Sequence, residues 1–170
     1  MKLIEAMKKV KSNKAKIVEL QERIKNSCSN LQHETPVYGE ETSSKVSEWI
    51  QSCEDICKEN IRLMCCIQDT NLKTIVNIEI GGKIVSKSIA AWIWRRREYS
   101  EIDYSTWSML TDRGLKEGII NTSTGSQMEI KIQRHFDPSK RDEMRSMYKE
   151  EKAIIDSTLE VINAVTDLIE

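Results

Sequence analysis

LIEAMKKVKSNKAKIVELQERIKNSCSNL, residues 3–31, sets its apolar side chains at Leu3, Met7, Val10, Ile17, Leu20, Ile24, Cys28 and Leu31. The intervals are three and four, and one strip (Leu3, Val10, Ile17, Ile24, Leu31) recurs every seven residues. Such spacing puts one apolar stripe on one side of a helix and suits a coiled-coil-like seam. Lys14 and Gln21 fall on the accompanying strip and weaken it. A helix of this length would reach roughly 45 Å, so residues 1–31 are predicted as one long helix that must bury its stripe against something equally long.

The next residues supply that partner. Pro36 and Gly39 break the pattern between Gln32 and Thr42. Ser43 or Ser44 can then cap a second helix, predicted over 43–68, because a hydroxyl accepts from the unpaired amides of the first turn. Its stripe runs through Val46, Trp49, Ile50, Cys53, Ile56, Cys57, Leu63, Met64 and Ile67, interrupted once by Asn60. A short loop between two long amphipathic helices favours an antiparallel pair. Lysines 2, 8, 9, 11, 14 and 16 make the first helix basic, while Glu48, Glu54, Asp55 and Glu59 make the second acidic. Opposite signs favour this pairing, although each exposed pair contributes only about 0–1 kcal/mol.

Beyond residue 72 the period changes. Thr74–Ile80 is β-branched and partly alternating, Gly81-Gly82 follows, and then Lys83-Ile84-Val85, which predicts a β-hairpin over 73–86. Ser86 or Ser88 can cap a third helix, predicted over 87–110, with Ile89, Trp92, Ile93, Ile102, Trp107 and Leu110 apolar; Trp94 and Tyr99 fall off that stripe. Residues 111–124 are turn-rich. Met128–Gln133 alternates strictly and predicts a strand over 127–134. Asp137-Pro138 pairs a capping residue with a proline suited to the first helical position, opening a last helix over 138–169. The expectation is a mainly α fold with a minor β part: a long antiparallel helical hairpin, two further helices, a short β-hairpin and one extra strand, in a single domain over 1–170.

The 170 residues are 39% hydrophobic, 31% charged and 5% aromatic, with two prolines and six glycines, a balance suited to long helices rather than a sandwich or barrel. A formal net charge of -1 argues against a dedicated nucleic-acid binder, so no nucleic-acid partner is expected. The charged start Met1–Lys9 lacks the apolar core of a signal peptide, and no apolar run reaches the ~20 residues of a membrane span. The expectation is a cytoplasmic protein without a stable membrane span. Cys28, Cys53, Cys57, Cys65 and Cys66 make an odd count, which fits reduced thiols rather than a disulfide framework.

No motif announces catalysis. Cys53 and Cys57 share a helix face and could share a metal, but a tetrahedral zinc site needs four ligands and no Cys-x-x-Cys is present. Cys28, Cys53 and Cys57 read instead as small hydrophobes on the core stripes. His33 falls in a predicted loop and His135 at a strand end, with nothing local to position either as a base. The Glu48, Asp55 and Glu59 run reads as a solvated face, and no Glu-x-x-His pair marks a di-iron site. Gly81-Gly82 lacks a phosphate-loop pattern. Arg95-Arg96-Arg97, with Lys83 and Lys87 nearby, is the sharpest basic cluster. Consecutive helical residues point about 100° apart, so the three cannot form one flat anion patch. Ion pairs with carboxylates of the second or last helix are the favoured reading, given how arginine pairs bidentately with carboxylate. Trp49, Trp92 and Trp107 read as core, and Trp94 beside the arginines can anchor an interface, where Trp and Arg are enriched. No cofactor, metal or catalytic residue is expected; Trp94, Arg95, Arg96 and Arg97 are the candidate interface or ion-pair residues.

Short stretches along nearly the whole chain are similar to a known family. They are the opening Met1-Lys2-Leu3 with Glu5-Ala6, the break at Glu34-Thr35-Pro36, and Thr70-Asn71 closing the second helix. Further on come Gly82 before Ile84-Val85, then Ala90-Ala91 and Arg95-Arg96, and finally Asn163 with Thr166-Asp167-Leu168. Together they resemble the septicolysin-like family of small bacterial proteins. Where that family tends to carry an aspartate after the double arginine, Arg97-Glu98 stands here. The family name implies a cytolysin. The expected function is a non-enzymatic, self-assembling helical protein of this type, acting as a homo-oligomer through protein–protein association. The alternatives are a membrane-active cytolysin, a phage-type structural assembly component and, last, an enzyme using a cysteine thiolate.

Overall fold

The structure is a computed structural model of the whole chain, and it describes every residue except Thr122, Thr124 and Glu170. The protein is mainly α with a minor β part. The helices are α1 (Leu3–Ser27), α2 (Thr42–Lys73), α3 (Ile89–Trp94), α4 (Ser100–Ser108) and α5 (Pro138–Val165). The strands are β1 (Ile75–Ile80), β2 (Lys83–Ser88), β3 (Gly118–Asn121) and β4 (Gln127–Ile130), in two separate antiparallel pairs, β1–β2 and β3–β4. The chain groups into two compact units, Met1–Thr74 with Glu160–Glu170, and Ile75–Leu159.

In the first unit α1 and α2 form the antiparallel hairpin that the seven-residue strip predicts. Leu3, Ala6 and Leu20 of α1 are buried, as is Leu63 of α2. The companion strip is Ala6, Asn13, Leu20 and Ser27, one residue earlier than the sequence suggests, so Lys14 and Gln21 are exposed and do not weaken the seam. α1 ends at Ser27 rather than residue 31 because Asn30 turns the chain, its amide donating to the carbonyls of Leu31 and Glu34 at 2.9 and 3.3 Å. Leu31 is accordingly left exposed. α2 runs past residue 68 to Lys73, with the buried Thr70 hydroxyl donating to the Cys66 carbonyl at 2.7 Å.

Asn60, the interruption in the α2 stripe, is buried and accepts a hydrogen bond from Asn13 Nδ2 at 3.0 Å; the same amide donates to Glu59 Oε2 at 3.0 Å. Lys9, 2.5 Å from Glu59, holds that carboxyl below its ordinary range, with Asn13 adding to the effect. A polar pair in an apolar seam fixes the alignment of two helices, because sliding either one strands its buried amide. Asn13→Ala is expected to cost about 1–3 kcal/mol by leaving Asn60 without its donor. Urea denaturation followed by helical circular dichroism measures this; a change within 0.3 kcal/mol would mean that water satisfies Asn60.

The C-terminal segment returns to this unit. α5 stops at Val165, not 169, because residues 166–168 leave the helix to pair with the chain start. Leu3 N–H donates to Thr166 O at 2.9 Å and Leu168 N–H to Met1 O at 2.8 Å. Lys2 Nζ donates to Val165 O at 2.8 Å and pairs with Asp167 at 2.9 Å, capping the negative end of α5. Ile169 N–H then donates to the Thr70 hydroxyl at 2.9 Å.

The second unit is built on β1–β2. β1 alternates, with Val76, Ile78 and Ile80 buried. Gly81 and Gly82 both have positive φ, the requirement of the two-residue turn that suits strand twist. A Cβ on Gly81 would also lie 2.6 Å from Met147 Sδ of α5. β2 extends through Ser88, whose hydroxyl accepts from Ala91 N–H at 3.2 Å and opens α3. The predicted third helix over 87–110 is interrupted: Arg95–Tyr99 forms a π-helical turn between α3 and α4. Ser100, buried just after it, donates its hydroxyl to Arg95 O at 3.0 Å. That wider turn re-phases the stripe, so Ile102, expected inside, is 52% exposed. The predicted extra strand over 127–134 is shorter and is not alone. β4 pairs with β3, which lies within the stretch expected to be turns.

The cysteines depart from expectation. Cys28, Cys57 and Cys65 are exposed and Cys53 and Cys66 half-buried, so none is a core residue. Each long helix of the hairpin buries only a narrow line of side chains, and the thiols flank that line. No described helix is long and apolar enough to cross a membrane.

Candidate functional site

The arginine triplet opens the π-helical turn of the second unit, and its three consecutive side chains leave the backbone in different directions. Arg95 grips Glu151 of α5 bidentately, with Nε and Nη2 at 2.9 and 3.0 Å from the two carboxylate oxygens, and Nη1 reaches Asp103 at 2.6 Å. Its guanidinium also lies 5.4 Å from the centre of the Tyr148 ring. Glu151 is only 3% exposed. Burial works against the Arg95 cation, but the bonds to Glu151 and Asp103 outweigh it and hold the group above its ordinary range. Arg96 lies in charge contact with Asp156, although its buried Nε is not aligned as a hydrogen bond. Arg97 is exposed and forms no ion pair among the described residues.

Thus Arg95 and Arg96 are committed to carboxylates of α5, and the triplet is no open anion patch. Beside it, Trp94 is 53% and Tyr99 51% exposed, and with Ala91 and Lys87 they line a shallow recess. A second recess of about 320 Å³ lies between the β1–β2 turn and α5, lined by Trp92, Met144, Met147 and Tyr148 with the Arg95–Glu151 pair at its base. In its lining Arg95 pairs with Glu151 and Lys140 with Glu143, while Lys83 and Lys87 form no ion pair among the described residues.

The other tryptophans divide. Trp92 is fully buried and donates Nε1–H to Val76 O at 3.0 Å. Trp49 packs edge-on against Tyr38 with ring centres 5.5 Å apart, and Trp107 is half-buried. His33 and His135 are both exposed. Among the described residues, no group of three or more His, Cys, Asp or Glu could hold a metal ion.

No sequence pattern points to the clasp between residues 1–3 and 166–168. Met1-Lys2-Leu3, Thr70 and Thr166-Asp167-Leu168 meet at this one place in the first unit. Lys2 holds the Asp167 carboxyl below its ordinary range. Comparisons with protein-family models, curated proteins and solved structures find no match to this chain.

Proposed function

We propose that this chain is a non-enzymatic, self-assembling helical protein that works in the cytoplasm through protein–protein association, as the septicolysin-like resemblance and the long apolar seams suggest. The observation that carries this reading is surface. The chain exposes 12399 Å². A compact globule of 19.7 kDa exposes about 8,600 Å², and even two separate compact bodies of half that mass expose only about 10,400 Å². The excess, roughly 2,000 Å², exceeds the ~800 Å² that each partner contributes to a standard interface.

Several large apolar side chains lie on this surface. Trp94, Tyr99 and Ile102 are each about half exposed along one helical stretch, and Met109 beyond them is 77% exposed. Aromatic residues of this kind dominate association when a partner desolvates them. Light scattering on the purified chain at micromolar concentration is expected to give at least twice 19.7 kDa. A clean monomer overturns the reading, and dye release from liposomes by the same sample would replace it with membrane activity.

A further inference from the structure

Lys83 and Lys87 project from the inner side of the β1–β2 hairpin. The strands pair so that Lys83 lies opposite Ile80, Val85 opposite Ile78 and Lys87 opposite Val76. Directly opposed residues share a face, and so do alternate residues along a strand. Val76, Ile78 and Ile80 are the buried side of β1. The two lysines therefore flank Val85 on that same side, while Glu79 and Ser86 take the other. At about 3.3 Å per residue their Cα atoms lie roughly 13 Å apart. Both lysines remain exposed, so their ammonium groups reach solvent.

That side of the hairpin opens on the recess of about 320 Å³ that faces α5. The volume falls at the small end of the range for ligand sites, about 300–1,000 Å³. Its apolar wall is Ile80, Val85, Met144, Met147 and Tyr148. Methionine side chains adapt to the shape of an apolar body. Arg95 and Lys140 already have Glu151 and Glu143. Lys83 and Lys87 have no carboxylate among the described residues, and Lys87 Nζ lies 5.9 Å from the centre of the Trp92 ring. An inward-facing lysine can also keep a strand edge from pairing with another chain, but that role asks for no cavity beside it.

We propose that this recess binds a small amphiphilic carboxylate of the medium-chain fatty acid class. Its tail lies against Val85, Met144 and Met147, and its head accepts from Lys83 and Lys87. Hydrogen bonds between an ammonium and a carboxylate are charge-assisted and strong, and a concave apolar wall with a few placed polar groups is how small-molecule sites are built. A neutral ligand would leave both ammonium groups without a counter-ion. A nucleic acid would need a broad basic face, and here the two free cations border an apolar wall. The site lies wholly within the second unit and does not depend on self-assembly.

Isothermal titration calorimetry of the full chain with octanoate decides it, run at two temperatures so that a vanishing enthalpy cannot hide binding. Octanoate is expected to bind with a Kd on the order of 100 μM. Acetate, which lacks the tail, and octanol, which lacks the charge, are each expected to bind at least about tenfold more weakly. Lys83→Gln/Lys87→Gln is expected to weaken octanoate at least about tenfold and to leave octanol unchanged. Met144→Glu, which sets a carboxylate in the wall, is expected to weaken octanoate by at least as much. Lys11→Gln/Lys14→Gln, an equal loss of charge on α1, is expected to change nothing. Helical circular dichroism checks that each variant is folded. A folded wild type that does not bind octanoate overturns the proposal. So does an affinity that Lys83→Gln/Lys87→Gln leaves intact, or an equal loss in the α1 variant. Sedimentation with phosphatidylglycerol vesicles that requires Lys83 and Lys87, without octanoate binding, replaces the free carboxylate with a lipid headgroup.

Discussion

Arg95→Met is expected to destabilise the protein by about 3–5 kcal/mol, the usual cost of removing one partner from a buried ion pair. The loss comes less from the vanished attraction than from what remains. Glu151, 3% exposed, would keep a charge with no guanidinium to match it and little water to solvate it. Asp103, the second acceptor of Arg95, would add to the unbalanced negative charge. Two methionines in place of both partners, Arg95→Met/Glu151→Met, should recover most of that loss, because a well-packed apolar pair of similar volume often equals a buried ion pair. Urea denaturation of the three proteins, followed by tryptophan fluorescence and by helical circular dichroism, measures both quantities. If Arg95→Met alone costs under 1 kcal/mol, Glu151 is not held as a buried carboxylate and the account of the node is wrong.

Trp92→Ala is expected to cost about 3–5 kcal/mol, the range for deleting a large buried aromatic side chain. Trp92 is 0% exposed and is the largest fully buried side chain described. Its loss would also leave Val76 O, in the strand whose inner face is Val76, Ile78 and Ile80, without the indole donor. Trp92→Phe separates the two contributions. It keeps most of the apolar volume and loses the hydrogen bond, for an expected cost of about 1–2 kcal/mol. Thermal or urea midpoints read both. Equal losses in the two variants would assign the effect to the hydrogen bond and remove the packing argument.

Much of the architecture could be read directly. The strip through Leu3, Val10, Ile17 and Ile24 predicts α1 and its need for a partner, Pro36 and Gly39 mark the break, and Gly81-Gly82 marks the β1–β2 turn. The errors have physical causes. Ala6 is a weak hydrophobe beside the more apolar Met7, so apolar spacing alone sets the second strip one residue late. The π-helical turn has no local signature, and without it Ile102 is assigned to the wrong face. The short β3 is hidden in a stretch whose residues favour turns. Apolar spacing alone puts Cys28, Cys53 and Cys57 on the core stripes, whereas in a two-helix seam only a narrow line of positions is covered. The site was legible in type and not in detail. Three arginines in a row say that they must diverge, but the carboxylates that receive Arg95 and Arg96 lie on a helix more than fifty residues later and no local pattern names them. The alternation at Met128–Gln133 predicts a strand, and β4 is one, although it ends at Ile130 and none of its residues is buried.

The pairing of residues 1–3 with residues 166–168 imposes an order on vectorial synthesis. Lys2 and Val165 are 163 positions apart, yet they share a bond, and Thr70 waits for the amide of Ile169. The α1–α2 hairpin can form while the ribosome is still making Ile75 to Leu159, but its end near Leu3 stays unsealed until residues 166–169 emerge. Closing a longer flexible loop adds only slowly to the entropic cost, and prior folding of the intervening unit shortens the flexible part. A nascent chain halted before Thr166 would therefore carry a formed helical hairpin with an open seam, the state in which proteases and chaperones would meet it.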